Sequence, residues 1–348
     1  MIVNLDWFFK LMKKDTNKKI IIGFSIGDYN GIGPEILLKS FSDFKLLHKF
    51  IPIVFCDKHI LEFYSKRYGH KFKIKEINNL DSITDENSIY TFPVSNTEIE
   101  ILPGEIKKES GNYAVKSLEE CTNAQINKKI DGIVTLPISK INSQSLKFPF
   151  PGHTEYLLEK FNIDDNMMIM HSEIMTIGFM TGHIPLDSIK SVLNKKKIIK
   201  KLKIFIDTIE KDFNKKNPKI AVLGYNPHAG EDGLLGDDEI SLIKPIINEL
   251  NTSKTIFEGP FPADSFFGLK KFKNYDGTIS WYHDQGLIGF KSFSFENGVN
   301  YTGGLPLVRT SPDHGTAFNI AGKGIANEKS LIESIKLNIE IINNRKFQ

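Results

Sequence analysis

Apolar residues recur along the chain in two alternating patterns: short runs rich in β-branched residues, and longer stretches with helical spacing. "KIIIGFSIG" (19–27) predicts a strand, and the following "PEILLKSFS" predicts a helix with Pro34 at its first position. Further strands are predicted at "IPIVFC", "DGIVTLP", "MMIMHS", "IMTIGFM" and "KIAVLG". Helices are predicted at "KHILEFYSKRY", "GNYAVKSLEECTNAQINKK", "TEYLLEKF", "KKKIIKKLKIFIDTIEKDF", "DDEISLIKPIINEL" and "KSLIESIKLNIEIINNRK". This alternation predicts an α/β fold with a largely parallel sheet and helices on both faces.

One stretch breaks its own pattern. "DGTISWYHDQGLIGFKSF" is apolar enough for a buried strand, yet His283 and Asp284 stand side by side within it. We expect a strand that runs to the edge of a cleft and presents this polar pair there.

Five of the nine histidines lie in turn-rich strings that follow predicted strands: His153, His183, His228, His283 and His314. In open α/β sheets, ligands bind beyond the carboxyl ends of the strands, so these loops are the candidate site. Three histidines can hold a divalent metal, but the sequence alone does not select which three. No HExxH helix supports a zincin-type hydrolase.

Carboxylates lie near the candidate histidines. Asp284 adjoins His283, Glu231 follows His228, and Asp264 lies in "GPFPADSFF". Such a carboxylate can fix the tautomer of a ligating imidazole. Asp264 has an equally open reading as a helix cap after Pro262.

The glycine-rich segment "GDYNGIGPE" (27–35) also follows a strand and precedes a helix. It is not a GxGxxG fingerprint. An anion-binding helix N-terminus and a tight turn without a ligand both remain open.

Composition limits the classes of function. A chain of 348 residues favours two domains, and a net charge of +3 without a basic, aromatic-rich run gives no reason to expect nucleic acid. No stretch approaches the ~20 apolar residues that span a bilayer. Two cysteines in apolar contexts fit a cytoplasmic protein. Residues 1–18 are interpreted as an amphipathic or disordered N-terminal extension.

Arginine is scarce, with Arg67, Arg309 and Arg345 against abundant lysine. Arg309 lies in a glycine-rich motif, which suggests a need for the planar guanidinium that grips carboxylate or phosphate through two hydrogen bonds.

Taken together, the strings resemble one family, the 4-hydroxythreonine-4-phosphate dehydrogenases of vitamin B6 biosynthesis. The resemblance runs from about Ile20 to the last helix. It rests on "GDYNGIGPEI", "TLPISK", "PGHTEYL", "TGHIPL", "NPHAGEDG", "GPFPADSFF", "YHDQGLIGFK", "GVNYTGGLP" and "RTSPDHGTAFNIAGKG", in the family's order. The chain departs from the family pattern at Tyr29–Asn30, Leu234–Leu235 and Pro312, none of which is an implied ligand.

The resemblance implies two α/β/α domains with a cleft between them, similar to the isocitrate and isopropylmalate dehydrogenases. We expect a first domain of residues 19–145 plus 300–348 with the cofactor loop, and a second of residues 146–299. The resemblance also implies a homodimer with the active site at the subunit interface. One divalent metal (Zn, Mg or Co) per subunit would be held by His183, His228 and His283, with the last coming from the neighbouring subunit.

Further site residues are implied in the same way. The substrate contacts match His153, Thr154, Lys291, Asn300 and Arg309. Asp264 and Asp284 match acidic positions of the cleft and are the candidate catalytic groups. The cofactor, NAD or NADP, is expected near Gly315, Thr316, Ala317 and Asn327, because "DHGTAFNIAGKGIAN" is similar to the adenosine-binding loop of the isopropylmalate dehydrogenases.

The implied reaction is the oxidation of 4-phosphooxy-L-threonine to a β-keto acid that decarboxylates to 3-amino-2-oxopropyl phosphate, a step of pyridoxal phosphate biosynthesis. One alternative is a dehydrogenase of a related phosphorylated hydroxy acid, such as 4-phosphoerythronate. Alternatives from other classes are a metal-dependent hydrolase, which would need no nicotinamide, and a non-catalytic metal- or phosphate-binding protein.

Overall fold

The computed structural model of the protein describes residues 19–83, 88–95, 99–145 and 148–346. The expectation for residues 1–18 therefore lies outside the described residues. None of the helices within the described ranges is both long enough and apolar enough to cross a membrane.

Twelve strands form one continuous sheet in the described part of the chain. They are β1 (Ile20–Ser25), β2 (Phe50–Phe55), β3 (Ile74–Glu76), β4 (Ile89–Thr91), β5 (Gly132–Thr135), β6 (Met167–Ser172), β7 (Met175–Phe179), β8 (Lys219–Leu223), β9 (Ile256–Phe261), β10 (Gly277–Ser280), β11 (Val299–Gly303) and β12 (Arg309–Pro312). Their order across the sheet is β3-β4-β2-β1-β5-β12-β11-β6-β7-β10-β8-β9.

The helices are α1 (Gly33–Phe41), α2 (Phe44–Leu47), α3 (Lys58–Tyr68), α4 (Lys108–Ile126), α5 (Lys140–Ser143), α6 (His153–Lys160), α7 (Ile189–Val192), α8 (Lys195–Asp207), α9 (Lys244–Leu250), α10 (Ala263–Gly268), α11 (His283–Ser294) and α12 (Lys329–Lys346). Seven of these helices, α1, α3, α4, α6, α8, α9 and α12, coincide with the predicted segments; the other five were not predicted as helices. Short 3-10 turns occur at Leu80–Ser82, Leu186–Ser188, Pro227–Gly233 and Lys271–Asn274, and π-helical turns at Thr208–Asp212 and Glu239–Ile243.

Helices cover both faces of the sheet, as the continuous apolar runs predict. All six residues of β1 are buried. Ile22 and Phe24 belong to one hydrophobic cluster, while Ile21 belongs to another with Ile51 and Ile53 of β2. Because neighbouring residues of a strand point to opposite faces, the two clusters lie on the two sides of the sheet. The predicted α/β class is confirmed.

The middle of the sheet departs from the expected parallel arrangement. The flanking strands pair in parallel, but β12 with β11, β11 with β6 and β6 with β7 are antiparallel. Strands β6 and β7 are joined by the two residues Glu173 and Ile174, and a connection this short permits only an antiparallel pair. The pairing of β11 with β6 makes the sheet continuous between the two expected domains. Their division at residues 145/146 and 299/300 stays a prediction.

The prediction that a strand continues through "WYHDQG" is wrong. Strand β10 ends at Ser280, and α11 begins at His283. Gln285 fixes the turn, because its side chain accepts from the Trp281 backbone N–H (2.8 Å) and donates to the Gly224 carbonyl (2.7 Å). The apolar residues after Gln285 form the buried face of a helix, a distinction that a short apolar run does not reveal. His283 therefore lies at a strand-to-helix turn.

Candidate active site

A cavity of about 780 Å³ lies between the two expected domains. Its walls include Thr135 at the end of β5, the first residues of α6, the loop after β7, and residues of α11, β11 and β12. It gathers the five residues expected to contact substrate and one expected metal ligand: His153, Thr154, Lys291, Asn300, Arg309 and His183. Sequence positions more than 150 residues apart thus meet in one space.

Arg309 is the most unusual group in this cavity. Its side chain is buried at 3% exposure, and its Nε and Nη2 donate to the Thr135 hydroxyl at 3.0 and 2.6 Å. Its Nη1 donates to the Thr302 hydroxyl at 3.2 Å. No carboxylate of the described residues forms an ion pair with it, and burial lowers the pKa of the guanidinium to about 10. Glu155, which also lines the cavity, favours the charge without offsetting the effect of burial. A buried cation with no paired carboxylate favours an anionic ligand.

His153 and Thr154 begin helix α6 beside this arginine. The His153 Nε2 atom is buried and has no hydrogen-bond partner among the described residues. Burial, together with the positive charge of Arg309, lowers the pKa of His153 to about 3, so the ring is neutral at ordinary pH. The free backbone N–H groups at the start of a helix also favour an anion.

Two of the three lysines that line the cavity have carboxylate partners, and the third, Lys140, is exposed. Lys291 pairs with Asp313 at 3.1 Å, and Lys201 pairs with Asp165 at 3.1 Å. Arg309 therefore provides the cavity's uncompensated buried positive charge.

The expectation from sequence omitted several residues that line the cavity. Thr135 orients Arg309, and Asp313 pairs with Lys291. His314 was one of the five candidate histidines but was given no role; it contributes a buried Nε2 atom without a partner in the described residues. All three stand inside strings that were recognised, "TLPISK" and "SPDHGTA". Only the folded contacts distinguish them from their neighbours.

The three expected metal ligands follow three adjacent parallel strands. Strand β10 pairs in parallel with both β7 and β8, so the carboxyl ends of all three lie at one edge of the sheet. His183 follows β7, His283 follows β10 and His228 follows β8. The ring centroids of His183 and His283 lie 5.0 Å apart within one chain.

This pair fits two ligands of one ion. Each centroid would lie about 3 Å from a metal bound at typical imidazole distances, which gives centroids about 5 Å apart. His283 Nδ1 lies 2.7 Å from a carboxylate oxygen of Asp284, which fixes the tautomer and leaves Nε2 for a metal. His283 thus already has a partner in His183 of its own chain, whereas the resemblance assigns it to the neighbouring subunit.

His228 is exposed and opens a run of left-handed backbone from φ 52° at His228 to φ 55° at Asp232. Such strained runs cluster at functional sites. Across the described ranges, no three His, Cys, Asp or Glu side chains are grouped closely enough to hold a metal.

The two candidate catalytic carboxylates lie outside the cavity lining. Asp284 is exposed and contacts His283. Asp264 is exposed in the first turn of α10, whose N-terminus shows no side-chain capping bond. The structure therefore links Asp284 to the edge of the sheet that carries His183, His228 and His283 (the histidine edge). It gives Asp264 no contact with the expected substrate residues.

The expected cofactor residues lie on the loop between β12 and α12. Gly315 lines the cavity, so the loop borders the substrate residues. Ala317 has a positive φ of 42°. The Thr316 carbonyl accepts the Ile32 N–H at 2.9 Å, and Asn327 accepts the Lys329 N–H at 2.9 Å at the start of α12.

Known relatives share this arrangement of sequence and fold. The chain is 39% identical over 329 residues to the 4-hydroxythreonine-4-phosphate dehydrogenase of Bacteroides thetaiotaomicron, covering 94% of this chain and 90% of the relative. It is 36% identical to an Oceanobacillus iheyensis protein named for D-threonate 4-phosphate dehydrogenase, covering 93% of this chain and 98% of the relative.

Solved structures also share the fold of this chain. The 4-hydroxythreonine-4-phosphate dehydrogenase of Klebsiella pneumoniae superposes with a TM-score of 0.81 at 31% identity, covering 95% of this chain and 99% of that one. A terephthalate dihydrodiol dehydrogenase of Burkholderia xenovorans shares the fold, with a TM-score of 0.63 at 22% identity over 93% and 98% of the two chains. The family model described as "Pyridoxal phosphate biosynthetic protein PdxA" matches residues 48–338. The chain therefore belongs to the PdxA family of dehydrogenases.

Proposed function

We propose that this dehydrogenase oxidises 4-phosphooxy-L-threonine, with NAD or NADP and a divalent metal, to a β-keto acid. That acid would decarboxylate to 3-amino-2-oxopropyl phosphate in pyridoxal phosphate biosynthesis. The observation that carries the proposal is the buried Arg309, which has no carboxylate partner among the described residues and lies in a cavity with all four other expected substrate residues. The names of the relatives support the same substrate.

The cavity residues bind the two anionic ends of such a substrate. Arg309 offers N–H groups in a fixed plane, which suits two oxygens of a phosphate or carboxylate. Lys291 adds a positive charge beside Asp313, and Asn300 adds an amide. His153, held neutral, and Thr154 add hydrogen bonds at the N-terminus of α6.

His183, His228 and His283 would hold the metal. A divalent ion bound there supplies Lewis acidity to the substrate hydroxyl and to the carbonyl that replaces it. Asp284 keeps the Nδ1 of His283 protonated through their 2.7 Å contact, which presents Nε2 to the ion. Asp264 and Asp284 are the proposed carboxylates for the hydroxyl proton.

The dinucleotide is proposed on the loop of Gly315, Thr316, Ala317 and Asn327, and its nicotinamide would supply the hydride acceptor. Gly315 lies at the cavity wall, which brings this loop next to Arg309 and Lys291.

We also propose a homodimer with the site at the subunit interface. Large apolar side chains stand exposed in the segments that follow the three histidines, including Leu186 at 70%, Leu234 at 79% and Ile288 at 68%. Exposed apolar groups of this size favour burial against a second copy. A cytoplasmic location is proposed because Cys56 and Cys121 are both free and buried.

A second candidate substrate is D-threonate 4-phosphate or the related 4-phosphoerythronate. It is favoured by the Oceanobacillus relative, which is as similar to this chain as several named for 4-hydroxythreonine 4-phosphate. These acids carry a hydroxyl where the threonine derivative carries an amine. The same phosphate and metal groups would serve both.

Steady-state rates of dinucleotide reduction on the three substrates, with and without a chelator, test the proposal. We expect the highest kcat/KM on 4-phosphooxy-L-threonine and loss of turnover with the chelator. Exclusive turnover of a phosphorylated aldonate would overturn the choice of substrate. Metal-dependent turnover without dinucleotide would establish the hydrolase alternative instead.

A further inference from the structure

The glycine-rich segment 27–35 ends at Glu35, whose buried carboxylate binds the proposed dinucleotide loop. Glu35 of α1 is fully buried. Its carboxylate accepts the backbone N–H groups of Gly324 (3.2 Å) and Ala326 (2.7 Å), and the Tyr68 hydroxyl (2.9 Å). With Lys39 as a further donor, both carboxylate oxygens have two partners.

Lys39 completes the same contact from the next turn of the helix. Its ammonium donates to Glu35 at 2.9 Å and to the carbonyls of Gly324 and Ala326 at 2.9 and 2.7 Å. All three N–H groups of the ammonium are therefore used. Glu35 thus accepts from the backbone N–H groups of Gly324 and Ala326, and Lys39 donates to the carbonyls of the same two residues.

Two further contacts tie the rest of the loop to the same part of the molecule. The Ile32 N–H donates to the Thr316 carbonyl, and Arg67 Nε donates to the Gly322 carbonyl at 2.9 Å. Gly322 and Gly324 have φ of 78° and 73°, a conformation that favours glycine. Ile325 is 66% exposed, so the loop's shape at this point depends on polar contacts more than on burial.

We propose that Glu35 and Lys39 form a clamp that fixes the loop of residues 315–327 in the conformation that receives the dinucleotide. Both are positioning residues, because their hydrogen bonds go to the loop backbone. The inference rests on the proposed function, which assigns this loop to NAD or NADP. A loop held in its binding conformation loses less entropy when the ligand binds, so the clamp raises affinity for the dinucleotide.

The test compares two matched lysine variants of the full chain. Lys39→Met removes the clamp's ammonium. Lys58→Met removes an equivalent ammonium from α3, where Lys58 pairs with Glu62 four residues on at 2.9 Å, among exposed side chains. Titration with reduced NAD and with reduced NADP should show Lys39→Met binding the preferred one roughly tenfold more weakly. Lys58→Met should match the unmodified chain, and substrate affinity should be unchanged in both.

Amide hydrogen exchange in the absence of dinucleotide gives a readout independent of activity. Peptides containing residues 322–326 should exchange faster in Lys39→Met than in Lys58→Met. Arg67→Met, which cuts the contact to Gly322, should weaken binding in the same direction by a smaller factor and covers the case in which Lys39→Met does not fold.

Equal dissociation constants for Lys39→Met and Lys58→Met, or equal exchange at residues 322–326, would overturn the clamp. If the unmodified chain binds neither dinucleotide, the proposed function fails instead. The two failures are thus distinguishable in one series of titrations.

Discussion

Arg309 is buried and Arg345 is partly buried, and these two arginines have opposite surroundings. Arg345, on the last helix, donates from Nε and Nη2 to the two carboxylate oxygens of Asp212 at 2.6 and 3.1 Å, and to the Tyr301 hydroxyl at 3.0 Å. Arg309 donates to two threonine hydroxyls. Burial opposes the charge of Arg345, but Asp212 and Tyr301 favour it, and the net effect raises the pKa of its guanidinium. For Arg309, burial lowers the pKa of the guanidinium.

This difference in surroundings indicates different roles for Arg345 and Arg309. Arg345 is neutralised within the chain and ties the last helix to the segment around Asp212. Arg309 carries a desolvated charge that costs stability unless a ligand supplies the anion. A buried charge with no paired carboxylate among the described residues therefore supports the proposal that a substrate binds at this place.

The largest effect is expected at the histidine edge, where a ligand is again needed to complete the site. His283→Ala should lower kcat/KM by roughly a thousandfold and abolish metal binding, since a proposed ligand is lost. Asp284→Asn should lower metal affinity by only about 10- to 100-fold, because it orients His283. Metal content and circular dichroism of both variants check this, and full activity of His283→Ala would contradict it.

Mixing inactive variants tests whether the site is shared between subunits. His183 and His283 are neighbours in one chain, so mixing His183→Ala with His283→Ala should restore nothing. With His183 and His283 from one subunit and His228 from the other, mixing His228→Ala with His283→Ala should restore about a quarter of the activity, because half of the dimers are hybrids with one intact site. No recovery in the second mixture, despite demonstrated subunit exchange, would count against an interface site.

The two arginines should differ in their effect on unfolding. Arg345→Met leaves Asp212 buried without its partner and should lower the free energy of unfolding by about 2–3 kcal/mol, allowing for partial exposure of the arginine. Arg309→Met removes an uncompensated charge and should change it by no more than about 1 kcal/mol. Urea denaturation of both variants measures this. A larger loss of stability in Arg309→Met than in Arg345→Met would contradict the difference inferred between the two arginines.

A smaller effect is expected from a buried histidine. Burial lowers the pKa of His171 from 6.5 to about 4, so the folded protein keeps its ring neutral while the unfolded chain protonates below 6.5. Its contribution to stability is complete above pH 6.5 and is lost as pH falls from 6.5 towards 4, by up to about 3 kcal/mol. His171→Gln should flatten this part of the stability–pH curve. An unchanged slope of the urea midpoint against pH would contradict the shift.

The sequence predicted those features that depend on local pattern. Strand β1 and helix α12 follow from apolar periodicity, and the expected substrate residues came from the resemblance of short motifs, which is independent of the fold. The turn at Trp281 and Tyr282 was missed because it depends on Gln285 reaching Gly224, 61 residues away. Apolar residues on both sides of this turn made a strand and a helix look alike.

Other features depend on contacts that no local pattern encodes. Thr135 orients Arg309 across 174 residues of sequence, and Glu35 reaches Ala326 across 291. The antiparallel middle of the sheet depends on the pairing of β11 with β6, which also needs the complete fold. The sequence left the role of segment 27–35 open between an anion site and a tight turn. The structure places Glu35, at its end, against the backbone of another loop.

The measurement that tests the account most directly is the equilibrium affinity of 4-phosphooxy-L-threonine for the unmodified chain, Arg309→Met and Arg345→Met. If the substrate supplies the anion that Arg309 lacks, Arg309→Met should bind it at least about a hundredfold more weakly, since a buried charge-assisted pair is lost. Arg345→Met should bind it within about twofold of the unmodified chain. Equal affinities for the unmodified chain and Arg309→Met would contradict the central claim.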